Sequence, residues 1–223
     1  MDIIVTGDIH GKFGYLNRLI NKYQKQLDLV ICCGDFGYWP NFDNGHTKIK
    51  TPVPILWCDG NHEDHWAIRE LIKTNNLEIA KNVFYMPRGS TYTLKDGRTI
   101  LFMGGADSID KGQRRIGHDW FPEEVITQRD MINLPDIKVD IFITHTCPVE
   151  IYPVLAKFYY GKELEPSNHA LSDLWKIYKP NLWFFGHWHY YKEGNLGDTK
   201  WHALGDAGSG GKWWTWLPSN ILG

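Results

Sequence analysis

Aspartate, histidine and asparagine recur in this chain at one kind of place, just after a short apolar run. Residues 3–5 lead to Asp8 and His10, and residues 29–33 lead to Asp35. Residues 55–58 lead to Asn61 and His62 in the stretch "GNHEDHW". Residues 140–144 lead to His145, and residues 182–185 to His187 and His189. These are ligand types for divalent zinc, iron or manganese. They are too many for one tetrahedral ion and suit two ions about 3.5–4 Å apart, bridged by a carboxylate. Taken singly, each is weak: a lone histidine is usually structural, and Asp8 can cap a following helix. Recurrence after separate apolar runs is what favours a shared site.

Such a site needs elements that gather those ends. The runs at 3–5, 29–33, 55–58 and 182–185 are continuously apolar, and 140–144 has an apolar centre from Ile141 to Ile143, as strands buried on both faces do. Residues 15–26 carry Leu16, Leu19, Ile20 and Tyr23 at helical spacing, and residues 64–74 form a predicted helix with Asp64 as N-cap. Between them lies a loop rich in proline, asparagine and glycine, residues 38–54. The order predicts an α/β fold with a parallel sheet covered by helices, whose strand ends line one rim. Residues 83–85, 90–94 and 99–103 read as strands around the turn "KDGR". Residues 104–135 are polar and irregular, then helical from Pro122. A helix follows over 167–178, capped by Ser167 or Asn168, and the tail, 190–216, holds short strand-like pieces. No repeat or linker is evident, so 1–223 reads as a single domain.

The ordered set "GDIHG", "GDFG", "GNHE", "THTCP" and "GHWH" resembles the calcineurin-like metallophosphoesterase superfamily, and the stretch "GGADSID…RRIGHDWFPEE" resembles a group of its bacterial and phage members. The resemblance spans residues 8–189. It implies a four-layer α/β/β/α sandwich of two mixed sheets flanked by helices. It also implies that Asp8, His10 and His189 hold one metal, that Asn61, His145 and His187 hold a second, and that Asp35 bridges both. His62 resembles the family's general acid, with orientation of a ligand as its alternative role. Two such ions lower the pKa of a bridging water and neutralise phosphoryl oxygens, so hydroxide can attack a phosphate ester. Manganese is the expected metal, with iron, zinc or nickel as alternatives. One departure stands out. Where phosphoprotein phosphatases of the superfamily read "GDxxDRG", this chain has "GDFGYWP", with Tyr38 at the second aspartate.

Composition bounds the rest. A net charge of −2 and 43% hydrophobic residues describe an ordinary globular chain. That argues against coating nucleic acid, which needs a basic face. Cys32, Cys33, Cys58 and Cys147 form no CxxC pair and read as buried thiols in a reducing compartment. The opening lacks a signal-peptide pattern and no apolar run approaches a membrane span, so a cytoplasmic location is expected. Asn61, Arg114, Arg115 and Trp120 form the expected substrate-binding set; an arginine can grip phosphate and an aromatic can stack a base. The bland alternatives are solvated charges at Arg114 and Arg115 and a loop anchor at Trp120-Phe121-Pro122. Glu63 and Asp64 read as helix-start acids, with support of the ligands as the alternative. The expected substrate is a small phosphorylated molecule, a nucleotide diester or monoester. A nuclease on single strands, a phosphoprotein phosphatase and a non-catalytic scaffold are the competing classes.

Overall fold

Strands β1 (Asp2–Thr6), β2 (Leu27–Cys32) and β3 (Ile55–Trp57) pair in parallel. In the computed structural model, which describes residues 1–132, 134–156 and 164–219, they form the centre of a six-stranded sheet. Strand β5 (Val83–Tyr85) extends it in parallel, while β4 (Glu78–Ala80) and β12 (Trp214–Trp216) close its edges antiparallel. A second six-stranded sheet runs β10-β11-β9-β8-β7-β6. Its parallel centre is β7 (Thr99–Met103), β8 (Ile141–Thr144), β9 (Leu182–Phe185) and β11 (Thr199–Ala203). Its edges are antiparallel β6 (Thr91–Thr93) and β10 (Lys192–Leu196).

Alternation along each strand divides the core into three layers. Ile3, Val5, Leu29, Ile31 and Cys33 meet Ile141, Ile143, Leu182 and Phe184 between the sheets. Ile4, Val30, Cys32 and Trp57 face the other way, onto Leu16, Leu19 and Ile20 of α1 (Phe13–Tyr23) and Ile68 of α2 (His65–Thr74). Phe142, Trp183 and Phe185 likewise pack on Leu171 and Leu174 of α5 (Pro166–Tyr178). The result is the expected four-layer α/β/β/α sandwich of two mixed sheets. Both faces of the central strands are covered, which is why β3 and β9 are apolar throughout and β1, β2, β7 and β8 nearly so.

Asp64 is the N-cap of α2, as its sequence predicts, and accepts from the Ala67 N–H at 3.0 Å. The cap of α5 differs from expectation. Glu165 occupies it, Pro166 begins the helix, and the Ser167 hydroxyl donates instead to Asp107 at 2.6 Å. The helix expected from Pro122 is also broken. A single 3-10 turn, Pro122–Glu124, is followed by extended Val125 and then by α3 (Gln128–Met131). Arg88 supplies the reason. Its guanidinium donates to the carbonyls of Glu123, Glu124 and Val125 at 2.7–2.9 Å, taking the acceptors a continuing helix would use.

Arg88 is itself anchored to Asp59, which follows β3, by two N–H donations to Oδ2 at 2.7 and 3.0 Å. Tyr85 donates to the other oxygen at 2.8 Å. Burial disfavours the Asp59 charge, but Arg88 reverses that and leaves its pKa below the usual value. This buried pair pins the segment after residue 104 to the first sheet. Arg88→Leu strands the Asp59 carboxylate without its counter-ion. It should lower the unfolding free energy in urea by about 3–5 kcal/mol. A loss under about 1 kcal/mol would contradict the anchoring role.

Candidate metal centre

The parallel centres of both sheets point their C-terminal ends toward one rim. The loops after β1, β2 and β3 bring Asp8, His10, Asp35 and Asn61 there from the first sheet. The loops after β8 and β9 bring His145, His187 and His189 from the second. Asp8, Asp35, Asn61 and His145 are buried, His10 and His187 are partly covered, and His189 is exposed.

One group of donors is Asp8, His10, Asp35 and His189, with ligand atoms all within 4.8 Å of one another. His189 Nε2 lies 3.1 Å from Asp8 Oδ2 and 3.1 Å from His10 Nε2, and His10 Nε2 lies 3.6 Å from Asp35 Oδ2. The other group centres on Asn61 Oδ1, which is 3.1 Å from His145 Nε2 and 3.0 Å from His187 Nδ1. His145 Nε2 also lies 3.3 Å from Asp35 Oδ1. An ion with ligands at about 2.1 Å places neighbouring donors roughly 3.0–3.4 Å apart. Most of these separations have that size, and Asp35 turns one oxygen to each group.

The backbone is bent to reach this arrangement. His10, Asp35, His187 and His189 hold left-handed φ values of 49°, 45°, 66° and 57°. Such conformations cost of order 1–3 kcal/mol each and persist only where the surroundings impose them. The flanking glycines are required by proximity. A Cβ on Gly60 would collide with Asp35 and His145, and one on Gly186 would collide with Asp8. Each of these glycines therefore makes room for ligand-type side chains on other loops.

Electrostatics tie the groups together. Burial opposes ionisation of Asp35, but His145, by charge and hydrogen bond, then His62 and His10, hold its pKa well below the ordinary range. His145 responds in the opposite sense. Burial lowers its pKa, yet Asp35 and then Asp8 raise it to about 10. Its Nδ1 donates to the Cys33 carbonyl at 2.8 Å, which aims Nε2 at Asn61 and Asp35. A backbone carbonyl on the far ring nitrogen is the usual way a metal-binding imidazole is oriented. Both donor groups fit divalent ions.

The sequence profile of the calcineurin-like phosphoesterases matches residues 1–191. The chain belongs to that family. Among similar proteins, the lariat debranching enzyme of Drosophila melanogaster is 25% identical over 254 residues, covering 94% of this chain and 46% of its own. CWF19-like protein 1 of Mus musculus is 26% identical over 157 residues, covering 66% of this chain and 28% of its own. The chain thus spans less than half the length of these curated relatives. The phosphopantetheinyl hydrolase of Mycobacterium tuberculosis shares the fold, with a TM-score of 0.52 at 14% identity over 98% of this chain and 97% of that one.

Around these donors, the predicted substrate residues separate. The His62 backbone N–H donates to Asp35 Oδ1 at 2.8 Å, and its ring meets that of His10 with centroids 5.1 Å apart. Arg114 reaches it directly, with Nη2 3.1 Å from His62 Nε2. Burial lowers the His62 pKa, Asp35 opposes this, and Arg114 lowers it further. Arg115 is exposed, and its backbone N–H donates to the Asp119 carboxylate. Trp120 Nε1 donates to Glu124 at 3.0 Å. Beside it Phe121 is buried against Trp39, His65 and Trp66, so this stretch anchors its loop. His118 packs on Phe42 with centroids 5.8 Å apart.

Glu63 is a residue whose environment the sequence understated. It precedes α2, is fully buried, and accepts from the backbone N–H groups of Gly37 at 3.1 Å and Gly60 at 2.7 Å. Burial first, then Asp35, raises its pKa to about 8. It joins the loops after β2 and β3, which carry Asp35 and Asn61. Because Gly60 has no space for a side chain, Gly60→Ala should displace Asp35 and His145 together. Affinity for divalent metal should fall by about 100-fold, the upper end of what changes around ligands cost. Unaltered binding by calorimetry would show that the loop accommodates the methyl group.

Proposed function

We propose that this chain is a two-metal phosphodiesterase for small nucleotide substrates. The observation that carries the proposal is the convergence of the two donor groups on Asp35, with His62 and Arg114 alongside. In this assignment Asp8, His10 and His189 hold one ion, Asn61, His145 and His187 the other, and Asp35 both. Bound divalent ions supply Lewis acidity and an activated water at neutral pH. The mixed nitrogen and oxygen donors favour Mn²⁺, with iron, zinc and nickel as chemically reasonable occupants.

The protein's own groups do the rest. Asn61 contributes a neutral amide oxygen, which limits the negative charge facing a phosphate. Arg114 offers guanidinium donors to a phosphoryl oxygen. In the structure its N–H faces His62 Nε2, so phosphate capture of Arg114 frees that nitrogen. His62, fixed by its backbone bond to Asp35, can then carry a proton to the leaving oxygen. Arg115 and Trp120 remain in the proposed substrate wall only as neighbours of Arg114.

The lariat debranching relatives favour a diester, and their name keeps open a second reading, cleavage within single-stranded nucleic acid. The absence of the second aspartate and arginine in "GDFGYWP" weighs against a phosphoprotein substrate. No helix among the described residues is long and apolar enough to cross a membrane. Four buried cysteines, none in a disulfide, support a reducing, cytoplasmic setting. We treat 1–223 as one catalytic domain.

The test is turnover of bis(p-nitrophenyl) phosphate, p-nitrophenyl phosphate, nucleotides and a single-stranded oligonucleotide, with Mn²⁺ and with chelator. Mn²⁺-dependent cleavage led by small nucleotide diesters is expected. A leading oligonucleotide would favour the nuclease, and no metal-dependent turnover would refute the enzyme. Asp35→Asn should abolish activity and reduce bound Mn²⁺, so full activity in that variant would remove Asp35 from the bridging role. His62→Ala should retain metal but lose about 10²–10⁴-fold in rate on substrates with poor leaving groups. An equal loss on p-nitrophenyl and alkyl leaving groups would rule out proton donation.

A further inference from the structure

Asn61 can serve as a ligand only if its amide is turned the right way. Its Oδ1 faces His145 and His187, and its Nδ2 must therefore be satisfied elsewhere. The acceptor is Ser108 Oγ, 3.1 Å away, in the loop after β7. Ser108 in turn donates its hydroxyl proton to Glu124 Oε2 at 2.9 Å. The other oxygen, Glu124 Oε1, accepts from the Ser108 backbone N–H and from Trp120 Nε1. Glu124 is fully buried and Ser108 is 2% exposed.

The direction of these bonds matters. Burial raises the Glu124 pKa to about 7; once ionised it can only accept, and it then claims the only hydroxyl proton Ser108 has. Ser108 Oγ then presents lone pairs to Asn61. An acceptor there admits the Asn61 NH₂ and excludes its carbonyl, which is left to face the two histidines.

We propose that Ser108 and Glu124 are positioning residues that fix the orientation of the Asn61 amide and thereby the affinity of the second metal position. This rests on the two-metal assignment above. It gives the segment between β7 and α3, which also carries Arg114, a direct mechanical link to one ion and not the other. Glu124→Gln places an NH₂ where Ser108 now donates, which frees the serine proton to face Asn61 and favours the flipped amide. Ser108→Ala removes the acceptor altogether.

The experiment is Mn²⁺ titration of the full chain followed by electron paramagnetic resonance, which counts bound ions and detects coupling between them. The wild type should bind two ions. Ser108→Ala and Glu124→Gln should weaken one position by about 10–100-fold, reduce the coupled signal at limiting Mn²⁺ and leave the other position unchanged. The decisive background is Asn61→Asp, whose two oxygens are equivalent and need no orienting. There Ser108→Ala should cost no further affinity, a non-additivity that general loosening of the loop would not produce. Titrations of both single variants that superimpose on the wild type would overturn the inference alone, as would an equal cost of Ser108→Ala in both backgrounds. A wild type that binds no Mn²⁺ would overturn the two-metal assignment and this inference with it.

Discussion

Keeping the Asp35 carboxylate charged inside the protein is the constraint around which the site is built. An isolated buried carboxylate would take up a proton rather than bear the loss of hydration. Here His145 comes from the opposite sheet to meet it, and the His62 backbone N–H donates to it. The Asp35 carbonyl accepts from the backbone N–H groups of Ile9 and His10 at 2.9 and 2.7 Å, so the loop after β1 is held by the same residue. Side chain and main chain of one residue thus fasten the loops bearing His10 and His62. Its left-handed φ lets both ends point at their partners.

Much of this was legible in the sequence because two independent signals coincide. Continuous apolarity located β1, β2, β3, β8 and β9, and ligand-type residues followed each at a similar offset. A fold with parallel strands converts that linear coincidence into proximity. Ser108 and Arg88 obey the same rule, since they follow β7 and β5, which are also parallel. They escaped notice because serine and arginine after a strand carry no chemical signature alone. Their roles depend on Glu124 and Asp59, partners 16 and 29 residues away in sequence.

The irregular segment after β7 shows the opposite limit. Local propensity after Pro122 suggested a helix, yet Arg88 intercepts the carbonyls. Likewise Glu63 looked like a helix-start acid, whereas its carboxylate serves the amides of two loops. In each case a long-range polar contact overrode a local preference, and such contacts leave no periodicity to read. Trp120 combines two readings: an aromatic beside arginines invited a stacking role for its ring face, and its indole N–H is held by Glu124.

The division of the donors between the two sheets has a mechanical consequence. Asp8, His10, Asp35 and Asn61 ride on one sheet and His145, His187 and His189 on the other, with no disulfide among the described residues to lock them. Their separation is set by the apolar layer between, where Ile31, Ile143 and Phe184 are fully buried. That layer is therefore the spacer of the site. Close-packed interiors transmit even a methylene's change in volume, so a substitution there need not touch any donor to alter how the two halves of the candidate site meet.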